Sequence, residues 1–277
     1  MPELPEVETV RRGLLPHLEG KQICSAKVFS RKLRQPIPDN FEEILQGSRI
    51  ITIERRAKYL LFDLQERDTL VVHLGMTGSF HISGVTKSAI AEKHRRWSLQ
   101  TEMGQEITFC DPRRFGLSIF VSKEALAMHP LFKDLGPEPL SDLFDLEYFR
   151  GKLSVRKVAI KQALLDQKLV AGIGNIYASE ALHRARINPE RRCNSLSKKR
   201  TTSLVKVTKE VLSEAIDAGG STLRDHRQIS GELGYFQHNF QVYGREGEDC
   251  LRANCGGTVK KIIQGARSSF FCPKCQQ

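Results

Sequence analysis

The sequence predicts an α+β multidomain protein: an N-terminal antiparallel β-sandwich with flanking helices, a helical middle domain, and a C-terminal β-ribbon zinc finger. Three observations predict it. Short apolar or alternating runs fill the stretch from Gln22 to Ser122 with no long helix between them. Beyond Asp142, apolar residues recur three and four apart, the helical period. Four of the seven cysteines lie after residue 249.

The elements follow in order. Val7, Val10, Leu14 and Leu18 keep helical spacing, so a helix opens the chain. Next come the runs ICSAKVF, RIITIERRAKYLLFDL, TLVVHL and SFHIS, each read as strand. WSLQTE and EITFCD flank Met103-Gly104-Gln105, a hairpin turn, and GLSIFVS closes the set. So many strands argue an antiparallel sandwich or barrel, and the sandwich is expected here. Two prolines and a glycine in LGPEPLSD (Leu135–Asp142) mark a domain boundary. VRKVAIKQALLDQ, IYASEALHRARI and SLSKKRTTSLVKVTKEVLSEAIDAG read as helices. GGSTLRDHRQISGELGYFQ reads as a long surface loop, the kind usually functional or disordered. The expected domains are 1–134, 135–240 (with a functional loop at 219–236) and 241–277.

Composition narrows the partners. The chain has 277 residues, 40% of them hydrophobic, enough for about two domains with a sizeable core. Lys+Arg number 43 against 32 Asp+Glu, a net charge of +11 with a pI near 9.4. Such an excess favours an anionic partner, because cations that bind nucleic acid release its condensed counterions. The first residues are acidic and no apolar core follows them, so no secretory signal is read. No run approaches the ~18 apolar residues of a membrane span. A cytosolic protein is expected, with reduced cysteines.

Three motifs carry chemistry. The tail spells C-x4-C, sixteen residues, C-x2-C, through Cys250, Cys255, Cys272 and Cys275. That pattern fits one tetrahedral Zn2+. About thirty residues cannot bury a core, so the metal must hold the ribbon together. All four positions come from protein, which makes the site structural and leaves none open for a zinc hydrolase. TVKKIIQGARSSFF reads as a ribbon turning near Gln264-Gly265, with Lys260, Lys261 and Arg267 on a phosphate-facing edge. In AGIGNIYASE, Gly172 and Gly174 permit a tight turn and Asn175 is a candidate N-cap; free N–H groups at a helix start suit phosphate. From Arg184 to Arg200, seven basic residues stand against one acid, Glu190, which suits a DNA backbone clamp.

The third motif is the start, MPELPEVETV. With Met1 removed, Pro2 would present a secondary amine, and amines attack aldehydic carbons such as C1′ of deoxyribose. A free α-amine has a pKa near 8. The helix dipole and burial lower it, while nearby acids raise it. Glu3 can move protons, and Glu6, one turn on, can orient the end of the chain. Ordinary helix-start chemistry accounts for the same residues, so the residues alone leave both readings open.

MPELPEVETV, DPRRFG, AGIGNIYASEAL and the cysteine tail together resemble the formamidopyrimidine-DNA glycosylase family, bacterial repair enzymes for 8-oxoguanine. The likeness spans essentially the whole chain. PELPEVE also differs from the related endonuclease VIII group, which reads closer to PEGPE.

The resemblance implies a bifunctional glycosylase and abasic-site lyase. Its partner is double-stranded DNA containing oxidised purines or abasic sites. Pro2 would be the Schiff-base nucleophile and Glu3 the proton donor, with base excision followed by β- and δ-elimination. Lys58 in RRAKYLL matches a lysine near the lesion and phosphates, acting as proton donor or phosphate ligand; the sequence alone suggests an exposed strand lysine. Met76 of HLGMTG, with Arg113 and Phe115 of DPRRFG, matches the trio that fills the gap left by an everted nucleotide. Eversion costs a few kcal/mol of stacking and pairing, which a cation and two apolar wedges partly restore. Taken singly, Met76 and Phe115 also suit a core, and Arg113 and Arg114 a charged surface.

The same resemblance assigns His94, Arg114 and Lys161 to DNA or lesion contacts. It gives Asn175 and Arg267 the grip on phosphate, Arg267 also serving δ-elimination. The helical region becomes a helix–two-turn–helix domain, and residues 220–235 a loop over the everted base. A monomer in the bacterial cytoplasm, on the nucleoid through DNA, is implied. The chain departs from the pattern twice. Its first knuckle is C-x4-C rather than C-x2-C. Arg95 and Arg96 in KHRRWSL stand where the family often has an acid and a second histidine, so contacts from that loop should differ. Rival readings are an endonuclease VIII-like enzyme for oxidised pyrimidines and a non-catalytic zinc DNA-binding protein. The second explains charge and tail but not the acid-proline start.

Overall fold

The computed structural model describes residues 1–66, 68–86, 91–221 and 234–277. It divides into two compact units. The first is Met1–Lys133 with Ala218–Tyr235, the second Asp134–Asp217 with Phe236–Gln277.

In the first unit, helix α1 (Leu4–Leu18) starts on an extended Glu3, with Pro5 in its first turn where an N–H would go unused. Its Val7, Val10, Leu14 and Leu18 are all buried, as their spacing predicts. Strands β1 (Ile23–Val28), β2 (Ile50–Arg56), β3 (Tyr59–Leu64), β4 (Thr69–His73), β5 (Ser79–Ile82), β6 (Arg95–Thr101), β7 (Glu106–Cys110) and β8 (Leu117–Val121) follow, with the short helix α2 (Phe41–Leu45) after β1. They form two antiparallel four-stranded sheets, ordered β1-β6-β7-β5 and β2-β3-β4-β8. One core joins the sheets to α1 and α2. Trp97 lies at its centre, its ring 5.4 to 5.6 Å from those of Phe41, Phe80 and Phe109. Its indole N–H crosses between sheets to donate to Ser118 Oγ at 3.0 Å. This is the expected sandwich.

One difference matters for function. RIITIERRAKYLLFDL is two strands, not one: Ala57 takes φ 54 and reverses the chain between β2 and β3. Lys58 therefore stands in a hairpin turn and is 7% exposed, not an exposed strand lysine. Cys110 and Cys193 are buried like small core residues, whereas Cys24 is exposed.

The second unit holds α3 (Leu146–Ser154), α4 (Ile160–Leu165), α5 (Asn175–Arg184), α6 (Lys198–Asp217), and a ribbon of β9 (Lys260–Gln264) and β10 (Arg267–Phe271). Helix α3 has no counterpart among the expected helices; Asp145 caps it by accepting the Tyr148 N–H at 2.7 Å. Helix α4 is shorter than the expected VRKVAIKQALLDQ: the segment before Ile160 is not helical, and Ala159 bridges to Arg192. Asn175 is not the N-cap of α5. Gly174 is, in an extended conformation, and Asn175 is the first helical residue. Within α5, buried Glu180 accepts three successive N–H groups, from Gln241, Val242 and Tyr243, at 2.8 to 3.0 Å. Those bonds satisfy a carboxylate that burial would otherwise penalise.

Candidate active site and nucleic-acid interface

The acid-rich start is built into the first unit. Glu3 is 3% and Glu6 2% exposed, and Pro2 is buried. The Glu3 N–H donates to Glu6 Oε2 at 2.8 Å. Glu6 Oε1 accepts both the N–H and the hydroxyl of Ser221, at 2.8 and 2.9 Å. One carboxylate thus holds the root of α1 and one end of the loop at 219–236. Ser221 and Tyr235 form a β-bridge that closes that loop's base. Residues 222–233, most of the segment expected to form a loop over the everted base, lie outside the described residues.

Lys58 lies beside His73, on β4. Burial, then the charges of Lys58 and Arg34, push the His73 imidazole down to about 4, so it is neutral near pH 7. His73 Nδ1 accepts the Gly75 N–H at 2.9 Å, opening the turn that carries Met76. His73 was not singled out from sequence, although it begins the HLGMTG stretch.

Met76 and Phe115 are not core residues. They are 38% and 47% exposed, and Arg113 and Arg114 are exposed with them. Arg114 takes φ 61, a conformation few side chains adopt, and so turns the loop tip. The Arg113 guanidinium lies 5.1 Å from the centre of the Phe115 ring. Behind this tip is Asp111, fully buried, which no motif reading singled out. Its Oδ1 accepts the Thr77 hydroxyl at 2.6 Å and its Oδ2 the Gly116 N–H at 2.7 Å. His94, half-buried, accepts the Asp111 N–H through its carbonyl at 3.0 Å. Of the two departures in KHRRWSL, Arg96 is buried and Arg95 half-buried. Arg96, 1% exposed, donates Nε and Nη2 to the Asp111 carbonyl at 2.9 and 2.7 Å. Arg95 pairs with Glu106 at 2.6 Å and stacks 4.0 Å over Phe29.

In the second unit, Lys161, Asn175 and Arg267 come together around the ribbon. Lys161 is 1% exposed and donates to Ser268 O at 2.9 Å and Ser269 Oγ at 2.8 Å. Asn175 Nδ2 donates to the same Ser268 carbonyl at 2.9 Å. Arg267 precedes it and stays exposed at the ribbon turn, opposite Gln264. The Gly172 N–H is taken by Gln167 Oε1 at 2.8 Å, so that amide is spoken for before any anion arrives.

The four tail cysteines bring their sulfurs within 4.8 Å of one another. Cys250 and Cys275 are 3.9 Å apart, Cys255 and Cys272 3.7 Å. A tetrahedron of ~2.3 Å Zn–S bonds has edges of about 3.8 Å, so the donor set fits one zinc ion. Gly257 lies so close that a Cβ there would be 2.8 Å from Cys272 Sγ. The long knuckle closes, and its Arg252 donates to the His183 carbonyl in the last turn of α5 at 2.7 Å. His183 Nε2 lies 3.4 Å from Cys250 Sγ, the kind of outer contact that orients a metal ligand.

Comparison with known proteins places this architecture. Family models match for the formamidopyrimidine-DNA glycosylase N-terminal domain at residues 1–118 and its H2TH domain at 135–227. A zinc finger found in FPG and IleRS matches 247–277. The formamidopyrimidine-DNA glycosylase of Paracoccus denitrificans is 50% identical over the full length of both chains. The chain belongs to the formamidopyrimidine-DNA glycosylase family. A curated relative from Cereibacter sphaeroides is also 50% identical over the full length of both. Lactococcus lactis Fpg, solved with abasic-site DNA, superposes with a TM-score of 0.89 at 37% identity over 99% of each chain. A MutM protein bound to DNA containing carbocyclic 8-oxo-G gives 0.89 at 37% identity over 100% of each. One structural zinc in the Cys250, Cys255, Cys272 and Cys275 site follows from the family and from the sulfur geometry together.

Proposed function

We propose that this chain is a base-excision repair enzyme that removes oxidised purines from duplex DNA and then cleaves the strand at the resulting abasic site. The observation that carries the reading is the buried Glu3–Glu6 pair at the root of α1. Glu3 and Glu6 also form the capping box of α1, but capping by itself does not require that both carboxylates be buried or that Glu6 reach Ser221 as well. Removal of Met1 frees the Pro2 nitrogen. Its lone pair attacks C1′, the damaged base leaves with the glycosidic electrons, and Glu3 supplies the proton that opens the sugar ring. The iminium then acidifies C2′–H, and loss of that proton expels the 3′ phosphate; the conjugated iminium that results acidifies C4′–H, and loss of this second proton expels the 5′ phosphate. Lys58 and Arg267 hold phosphates and donate protons as these leave. His94 and Arg114 support the DNA backbone beside the probes, while Lys161 acts by bracing the ribbon that carries Arg267. Zinc supplies no chemistry; it holds the ribbon.

Met76, Arg113 and Phe115 enter the space vacated by the everted nucleotide, and their exposure on one pair of loops supports that role. Asn175 keeps the helix–two-turn–helix element on the ribbon beside the phosphates. Residues 1–134 thus carry the chemistry, 135–240 grip and cap, and 241–277 form the zinc finger. The enzyme works as a monomer on chromosomal DNA in the bacterial cytoplasm; no helix among the described residues is long and apolar enough to cross a membrane. Borohydride trapping on 8-oxoguanine opposite cytosine tests the mechanism. Wild-type protein should give a covalent adduct, Pro2→Gly should give none, and an adduct surviving that change would move the nucleophile elsewhere.

A further inference from the structure

We propose that Thr77 and Asp111, backed by Arg96, are positioning residues that fix Met76, Arg113 and Phe115 as one rigid probe and so set discrimination of the base opposite the lesion. The inference rests on the proposed gap-filling role of that trio.

Two loops carry the three probes, and three contacts join them. The backbone at Gly75 (φ +63) meets that of Phe115 so closely that a Cβ on Gly75 would be 2.5 Å from the Phe115 carbonyl carbon. The Thr77 hydroxyl donates to Asp111 Oδ1 at 2.6 Å. The same hydroxyl accepts the Arg113 N–H at 3.1 Å, and so touches the backbone of the residue that would meet the orphaned base. One hydroxyl therefore fixes Met76, its chain neighbour, relative to Arg113.

Asp111 is anchored in turn through all its polar groups. Its second carboxylate oxygen takes the Gly116 N–H, its N–H goes to His94 O, and its carbonyl receives the fork of Arg96. Asp111 is 0% and Arg96 1% exposed, so this network works without competing water. The side chains of Arg113, Arg114 and Phe115 beyond it are exposed, so the pose of the tip rests on these backbone contacts.

The pairing edge of cytosine carries two adjacent acceptors, which suit two guanidinium donors. Adenine presents one acceptor beside an N–H donor. A guanidinium held in one pose leaves a donor unmatched against adenine, and an unmatched pair is penalised more than a matched pair is rewarded. A guanidinium free to swing avoids the mismatch and loses the discrimination. Displacements near 1 Å are enough to matter in such positioning.

The test compares excision of 8-oxoguanine opposite cytosine with excision opposite adenine, reading kcat and KM separately, for wild type, Thr77→Val and Thr77→Ser. Wild type should prefer cytosine. Thr77→Val should lower the cytosine-to-adenine ratio of kcat/KM by about tenfold, mainly by weakening the cytosine arm. Thr77→Ser keeps the hydroxyl and should restore the ratio. Should Thr77→Val fold poorly, Arg96→Lys, which keeps the charge but loses the fork, should shift the ratio the same way. A loss equal against both bases, or a valine variant with the wild-type ratio, overturns the proposal. Wild-type protein unable to excise 8-oxoguanine overturns both this proposal and the function it rests on.

Discussion

Two exposed cationic tips, Arg113 in the first unit and Arg267 in the second, are held by opposite means. The loop carrying Arg113 rests on a sandwich with its own continuous core, and a buried carboxylate fixes it through hydrogen bonds. The ribbon carrying Arg267 has a small apolar base, with Val259 and Phe271 buried and Phe270 on Tyr243, beside a buried cluster that is the cysteines themselves. Its support comes from four thiolates, from Lys161 and from Asn175. Where a core already exists, a polar network has only to select one loop geometry. Where the core is small, metal and buried donors must supply much of the fold.

Removing zinc should break this comparison most visibly. With a chelator, the segment 247–277 should lose its structure while the sandwich keeps its own. Trp97 is the only tryptophan and is fully buried in the first unit, so its fluorescence should stay native while protease cuts the tail. DNA affinity should fall by about a hundredfold, as two phosphate contacts of ~1.4 kcal/mol each are lost. Loss of the Trp97 signal at the same chelator concentration would show that the first unit also depends on the metal.

Asp111→Ala is the corresponding break in the first unit. It strands the Gly116 N–H and the Thr77 hydroxyl without removing any core side chain. A cost of about 3 kcal/mol is expected, or a melting temperature lower by about 6 to 12 °C on the Trp97 signal. Lys161→Met sharpens the other side. It keeps the volume but removes two charge-assisted bonds to the ribbon, and should destabilise zinc-loaded protein by about 2 kcal/mol in urea. If the ribbon were held by metal alone, this change would be silent.

The smallest effect concerns acid. Burial raises the Glu8 carboxyl, but Arg11, Arg12 and Arg55 outweigh it and hold it below the usual range. A carboxyl depressed in the folded state contributes stability above its unfolded pKa of ~4.3 and loses it as pH falls through the folded value. Glu8→Gln should therefore flatten the acid limb of a stability–pH curve and leave the zinc-dependent part of unfolding unchanged.

Sequence showed most where the signal was local. The strands declared themselves by alternation, and the zinc site by cysteine spacing within one short tail. It showed least where partners are distant in the chain. Thr77 and Asp111 are 34 residues apart, and Arg96 lies 15 before Asp111. Nothing in HLGMTG or KHRRWSL alone marks those pairs. Asn175 suits a cap by residue type, but its amide is committed to Ser268, 93 residues on. Helix α3 escaped because LEYFRGKLS buries only Phe149 and Leu153, too few to set a period. Met76 and Phe115 looked like core by residue type, and only their loop positions put them outside.

The Glu6 carboxylate reaches across 215 positions of sequence to Ser221. On the ribosome, α1 emerges first, but its acidic root cannot acquire that partner until about four-fifths of the polypeptide has been translated. The N-terminal end proposed to react is therefore completed late in biosynthesis, and a truncated product lacking Ser221 would carry Pro2 and Glu3 without the tether from Glu6.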